Sequence, residues 1–319
     1  MSQTFMQSRA KIDWRAFAQQ YGLAISFIML CFALALLSDR FFTTNNLINI
    51  LRQSTINGII AVGMTLVIFT RGIDLSVGSV LALSAVITAD ALQKGMPVYL
   101  AIPFGLLIGA LLGLISGWLV TKMRVPPFIA TLGLMTFGRG LALTYTQGKP
   151  ITGLPDAFRF LGIGYLGSVP MPVVIAVLVF AVGYIALTRM KFGEYIYAIG
   201  NNETAAELSG IPVKKYVTLT YVITGALSAL AGQILIARLD SAQPVAGVGF
   251  EFDAIAAVVV GGTSFEGGEG SILGTLLGVL IIAVINNGLN LLDVPSFYQS
   301  VVKGVVIALA LLIHKSLKR

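Results

Sequence analysis

The chain has 319 residues, 56% of them hydrophobic and only 11% charged, and its mean hydropathy is +0.90. A soluble domain carries about 25% charged residues, so a water-soluble enzyme, a disordered chain and a secreted disulfide scaffold are excluded, and an all-α polytopic membrane protein remains. The net charge of +7, from 21 basic and 14 acidic residues, fits the excess of Lys and Arg in cytoplasmic loops. The basic residues are scattered between apolar runs, which argues against a nucleic-acid partner. With one cysteine (Cys31) and one histidine (His314), no intrachain disulfide and no zinc-type metal site is expected.

Residues 1–19, with Arg9, Lys11, Trp14 and Arg15, are polar and basic, and no small-residue cleavage site follows the first apolar run. They predict a cytoplasmic N-terminal segment and a retained first helix. A membrane helix needs about 20 mostly apolar residues. Spans are predicted at 20–38, 56–70, 75–92, 98–120, 128–146, 171–188, 216–237, 252–262, 271–289 and 296–313. The run 252–262 is too short to cross, and predicts a half-helix or re-entrant segment lodged in protein or lining a cavity. Arg71-Gly72-Ile73-Asp74 predicts a tight break between two spans. The expected bundle has about ten transmembrane helices, or eight if 240–270 does not run both ways. It forms one transmembrane domain over residues 1–319.

Charge counting orients it. Predicted inner segments hold thirteen basic residues: Arg9, Lys11, Arg15, Arg71, Lys122, Arg124, Arg189, Lys191, Lys214, Lys215, Lys315, Lys318 and Arg319. Predicted outer segments hold six: Arg40, Arg52, Lys94, Lys149, Arg159 and Arg238. The bias places both termini in the cytoplasm. Loop 147–170 then lies outside, and the polar loop 189–215 inside. Gly105, Gly109, Gly113 and Gly117, and again Gly270, Gly274 and Gly278, recur every four residues, as small residues do where helix backbones approach closely. No internal sequence repeat stands out.

No phosphate loop is present: Gly262-Thr263-Ser264-Phe265-Glu266-Gly267-Gly268 has glycine where lysine is required. Gly162-Ile163-Gly164-Tyr165-Leu166-Gly167 fits a dinucleotide pattern but follows no strand and opens no helix, so it reads as a chance match in a loop. ATP binding by this chain is therefore not expected. Within the inner loop, Asn201 or Asn202 can cap a helix, Gly210 can take the left-handed position beyond its end, and Pro212 prevents continuation. Such a two-turn helix is marginal alone. It either packs on the bundle or docks into a cytoplasmic partner.

The stretch Ala205-Ala206-Glu207-Leu208-Ser209-Gly210-Ile211-Pro212 resembles the cytoplasmic coupling segment of bacterial ABC-importer permeases. Asn57 through Ile68, Gly72-Ile73-Asp74-Leu75-Ser76-Val77-Gly78-Ser79, Ser241-Ala242-Gln243-Pro244 with Phe252 through Ser264, and Asn286-Asn287-Gly288-Leu289-Asn290 are similar to the sugar branch of that family. The likeness runs from about residue 40 to the C-terminus. It implies a homodimeric pore in the bacterial cytoplasmic membrane, two ATP-binding subunits and an outer sugar-binding protein. The implied cargo is a monosaccharide, ribose first and other pentoses next, moved by alternating access. No cofactor is implied in this chain, since the partner subunits bind the ATP, and the chain itself is not an enzyme. Glu203, Thr204, Ala205, Ala206, Glu207, Leu208, Ser209 and Gly210 are then the expected ATPase-coupling residues.

Polar groups at membrane depth are costly and tend to face protein or water. Asp74, Ser76, Asp253, Asn286 and Asn287 are thus candidates for the translocation pathway, although Asp74 could equally cap the helix that starts near Leu75. Lys149, Asp156 and Arg159 are candidates for docking the binding protein. A self-contained ion-coupled secondary transporter is the alternative, with Asp74 and Asp253 as its carboxylates.

Overall fold

The computed structural model describes residues 14–295 together with 298, 299, 301, 302, 304, 305 and 308. Predicted span 296–313 lies largely outside them, as do His314 and the terminal basic residues. The first helices are α1 (Trp14–Leu37), α2 (Thr44–Phe69), α3 (Val77–Gln93), α4 (Val98–Thr121) and α5 (Pro127–Thr146). Next come β1 (Ile151–Thr152), α6 (Asp156–Ile163), β2 (Tyr165–Leu166), β3 (Val169–Pro170) and α7 (Met171–Arg189). The chain continues through α8 (Lys191–Asn201), α9 (Glu203–Leu208), α10 (Val213–Leu239), β4 (Ser241–Ala242), α11 (Phe250–Val260) and α12 (Ile272–Leu291). Among the described residues six helices are long and apolar enough to cross a membrane, and Gly22–Leu37 and Val77–Gln93 are shorter apolar helices.

Two expectations change. The span expected at 56–70 begins at Thr44, because the Thr43 hydroxyl caps the helix by accepting from the Asn46 N–H and because packing tolerates the polar turns that follow. Asn46 and Asn287 of α12 exchange amide hydrogen bonds of 3.0 and 2.7 Å, satisfying both buried side chains. Gly270, expected on a helix face with Gly274 and Gly278, precedes α12 and sits in the loop at φ 140°.

Residues with predicted inner charges gather at one end of the bundle. Arg71 donates from Nε to the Gly200 carbonyl (2.7 Å) and from Nη2 to that of Asn201 (2.8 Å). Arg124 and Lys214 line a groove with Arg71. The predicted outer segments meet at the other end. There β1 pairs antiparallel with β4, Leu154 N–H donates to Asp240 Oδ1 (2.9 Å), and Arg52 bonds the Tyr165 hydroxyl.

The core is a doubled arrangement. In α2–α3–α4, a long helix ends, the chain turns back without helix through residues 70–76, a short helix starts at depth, and a full helix returns. The same order recurs, upside down, in α10–α11–α12, where residues 240–249 form the break. Cross-unit bonds match as well. The start of α2 bonds the end of α12 through Asn46–Asn287, and the start of α10 bonds the end of α4 through the Thr218 and Thr121 hydroxyls at 2.9 Å. Near the other ends, Thr65 meets Thr275 (2.8 Å) and Gln233 Nε2 donates to the Ile102 carbonyl (2.9 Å). This is an inverted repeat of packing, invisible as sequence identity.

Glycines set the spacing between these helices. A Cβ on Gly109 would overlap the Gly225 carbonyl, and one on Gly113 the Tyr221 carbonyl, so the backbones of α4 and α10 touch. Where the two shorter helices begin, a Cβ on Gly78 would overlap the Gly247 carbonyl, placing both starts at one depth. The 11 residues of α11 span ~16 Å, about half of a ~30 Å hydrocarbon core. The short run at 252–262 is therefore a half-helix preceded by a run of turns, and it makes one crossing with that segment.

Candidate functional site

At the basic end, α9 is an exposed six-residue helix. Asn202 Oδ1 accepts from the Ala205 N–H (3.0 Å) and opens it. Gly210, at φ 83°, closes it, in a backbone region where glycine carries no Cβ penalty. Ala206 is buried against the bundle, whereas Glu203, Thr204, Ala205, Glu207, Ser209 and Gly210 are exposed. Leu208 is 85% exposed, an apolar side chain presented to solvent beyond the bundle. The helix is held from below: α8, which sequence reasoning missed, ends on Arg71. That guanidinium at a helix C-terminus meets the negative end of the dipole. The Tyr197 hydroxyl of α8 donates to the Gly270 carbonyl (2.9 Å), and burial pushes its pKa up. A groove of about 490 Å³ runs beside α9, lined by Arg71, Arg124, Glu203, Glu207 and Lys214.

At the opposite end the expected docking trio is partly engaged within the chain. Arg159 Nη1 lies 3.4 Å from Asp156 Oδ1, and its Nε lies 3.7 Å from Asp240 Oδ1. Lys149 and Asp156 are exposed. Helix α6, also missed, rests its Gly162 against the backbone of Ala237 and Arg238 on α10.

The polar groups at membrane depth fall into three places. Asp74 Oδ1 accepts from the Ser76 backbone N–H (2.8 Å) and from the Ser76 hydroxyl (2.6 Å), and both residues are buried. This turn opens α3. Asn287 is committed to Asn46. Asp253 and Asn286, by contrast, line one cavity of about 350 Å³ together with Gln53, Ser54, Asn57 and Arg238. Asn57 Nδ2 donates to Asp253 Oδ2 at 3.3 Å. Gln53, Ser54, Asn57 and Arg238 escaped sequence reasoning, because the cavity is assembled from α2, α10, α11 and α12 and no local pattern marks it.

Above this cavity the break before α11 is fixed from three sides. Arg139 of α5 donates from Nη1 to the carbonyls of Pro244 (2.6 Å) and Ala246 (2.7 Å). Glu251 Oε1 accepts from the Gly249 N–H (3.2 Å). The Gly78 contact is the third. Yet Val245, Val248 and Phe252 are more than half exposed.

The family described as branched-chain amino acid transport system / permease component matches residues 46–311. The ribose import permease of Haemophilus influenzae is 50% identical over 312 residues, covering 97% of this chain and 94% of the relative. The ribose import permease of Bacillus subtilis is 49% identical over 307 residues (96% and 95%). The D-allose transport system permease of Escherichia coli is 39% identical over 310 residues (96% and 95%). No solved structure matches. With its long apolar helices and these bacterial relatives, the chain is a multi-pass protein of the bacterial cytoplasmic membrane, and by both the family match and the near-complete coverage it belongs to this family of transport-system permease components.

Proposed function

We propose that the chain is the membrane subunit of an ABC importer that carries a monosaccharide, ribose in the first instance, into the cytoplasm by alternating access. The observation that carries this reading is about 50% identity with ribose import permeases over nearly the whole chain. Energy comes from ATP bound and hydrolysed by partner subunits. The chain itself holds no nucleotide and performs no catalysis. Two ATP-binding subunits sit at the basic, cytoplasmic end, where α9 offers the exposed Leu208. A sugar-binding protein delivers cargo at the opposite end, over loop 147–170 with Lys149, Asp156 and Arg159.

The working unit is a homodimer within one transmembrane domain per chain. Non-helical backbone cannot face lipid at membrane depth, because its N–H and C=O groups would go unsatisfied. Residues 243–249 are non-helical there and expose Gln243, Val245 and Val248. A second copy across this surface, enclosing a water-filled path, removes the conflict. Candidate pathway residues Asp253 and Asn286 lie on the cavity behind it. Asp74, Ser76 and Asn287 contribute as the supports of that path. The ion-coupled alternative would pair Asp74 with Asp253, whereas Asp74 bonds Ser76 in the turn before α3 and Asp253 bonds Asn57 of α2.

The test is reconstitution in liposomes with the ATPase and the binding protein. Ribose uptake is expected only when ATP and both partners are present. Uptake by this chain alone, driven by an ion gradient, would move the reading to a secondary transporter.

A further inference from the structure

Along the chain, α9 is joined directly to only one half of the inverted repeat. On its C-terminal side, Gly210 and Pro212 lead straight into α10. On its N-terminal side it follows α8 and, before that, α7. The α2–α3–α4 unit is separated from it by α5, α6 and α7. A displacement of α9 that is to move both units together must therefore cross to α2–α3–α4 through space.

The crossing lies where three segments meet at the basic end: the end of α2 with residues 70–71, the end of α8, and the loop between α11 and α12. Arg71 Nε donates to the Gly200 carbonyl (2.7 Å) and Nη2 to that of Asn201 (2.8 Å). Asn201 is the last residue of α8, and Asn202 beside it caps α9. The Gly268 N–H donates to the Phe69 carbonyl (3.1 Å). These backbones touch. A Cβ on Gly200 would lie 2.0 Å from the Phe69 oxygen and 2.2 Å from the Gly268 nitrogen, and one on Gly267 would lie 2.6 Å from Arg71 Cγ. Tyr197 of α8 adds a further tie, with its ring centroid 4.8 Å from that of Phe69 and its hydroxyl on the Gly270 carbonyl (2.9 Å). Val67, Ile199 and Ala206 share one apolar cluster nearby, but apolar burial is non-directional and leaves surfaces free to slide. A planar guanidinium that donates to two successive carbonyls fixes orientation as well as distance. Arg71 itself holds φ 61°, a left-handed backbone uncommon outside glycine, which persists where surrounding contacts over-determine it.

We propose that Arg71 is the positioning residue that ties α9 to both inverted units, so that a displacement of α9 reaches the α2–α3 break and the α11–α12 loop at once. The proposal rests on the importer reading and names the residues that carry the movement inside this chain. Three residues beyond Arg71 the break reaches Asp74, whose bonds to Ser76 open α3. Beyond Gly268 and Gly270 the chain enters α12 at its Ser271 cap. One knot thus grips the first unit just before its shorter helix and the second unit just before its returning one.

The test uses the full complex, reconstituted in proteoliposomes with the ATPase subunits and the binding protein. Arg71→Met removes both donors and keeps an unbranched side chain. Ribose carried per ATP hydrolysed should fall about tenfold or more, within the ~5- to 150-fold range of coupling between distant sites. Gly200→Ala leaves Arg71 in place and wedges the three backbones apart, and its yield per ATP should fall as well. A residue that only caps α8 would lower transport and hydrolysis in step through lost assembly, with ribose per ATP unchanged, and that result overturns the proposal. If Arg71→Met fails to assemble, the yield of Gly200→Ala decides, a wild-type value overturning the proposal. Failure of both variants to assemble overturns it too, because the knot then serves folding rather than transmission. A wild-type complex that moves no ribose fails the importer reading instead.

Discussion

Replacing Arg139 by Met should loosen one segment while leaving the bundle's total stability almost unchanged. The guanidinium lies within a membrane-spanning helix and is half buried. On insertion scales a charge near mid-helix costs about 2.5–3.5 kcal/mol, and Met relieves that cost. Against this, the carbonyls of Pro244 and Ala246 lose their 2.6 and 2.7 Å donors. Each stranded buried carbonyl costs about 1–3 kcal/mol, so the two together cost about 2–6. The global difference is thus near 1 kcal/mol, within about 3 either way. The local balance lacks that offset, because the segment 243–249 simply loses what held it. A loss of about 2–3 kcal/mol in local opening corresponds to ~30- to 150-fold faster amide exchange, since 1.4 kcal/mol is a factor of ten. Hydrogen–deuterium exchange with mass spectrometry on the purified chain reads both quantities. Peptides covering 243–252 should exchange faster by that factor, those from the α4–α10 seam should not change, and ribose transport should fall. Unchanged exchange at 243–252 would refute the clamp, and so would uniform acceleration across the whole chain.

Three further outcomes follow from the same geometry. Gly210→Val forces a β-branched residue to φ 83° at a strain of about 1–2 kcal/mol, and should alter how Leu208 is presented. Transport and coupled ATP hydrolysis should drop at normal membrane levels, and full transport would remove α9 from the coupling role. Gly113→Ala puts a Cβ into the Tyr221 carbonyl and should lower the thermal midpoint, by roughly the 1–3 kcal/mol of an overpacked core. Gly133→Ala meets nothing within 4 Å and should be neutral or slightly stabilising, so similar midpoints for the two would contradict the seam. In the Cys31→Ala background, cysteines at Asn202 and Thr152 should label from opposite faces of the membrane, with Asn202 cytoplasmic, and labelling from one face would break the topology.

The long apolar helices were legible because lipid demands a continuous apolar run. The span expected at 128–146 is Pro127–Thr146, and that at 98–120 is Val98–Thr121. Helix α9 was legible from chemistry rather than hydropathy: a capping Asn, a left-handed Gly and a Pro stop bracket it within eleven residues, Asn202 to Pro212. The first turns of α2 were not legible, since Asn45, Asn46, Asn49, Arg52 and Gln53 fail any apolar test, and Asn46 is satisfied by the Phe41 carbonyl and by Asn287, 241 positions away. Helices α6 and α8 were lost for a related reason, being short surface helices outside the spans. The Thr43 cap and the acidic first turn at Asp156 were the signals available.

The cavity lies further from the sequence still, and the reason is physical. Periodicity and capping are local properties, whereas an orphan acceptor is defined by what fails to reach it. Asn57 and Asn286 look like any other polar residue in a span until α2 and α12 are brought onto one cavity, where neither amide oxygen has a hydrogen-bond partner among the described residues. Asp74 makes the converse point. As a lone carboxylate beside a break it had the marks of both a pathway group and a helix cap, and in the structure Ser76, two residues along, donates to its Oδ1 from backbone and hydroxyl. In a membrane chain a polar residue therefore carries functional meaning in proportion to the hydrogen bonds its own fold leaves unmade.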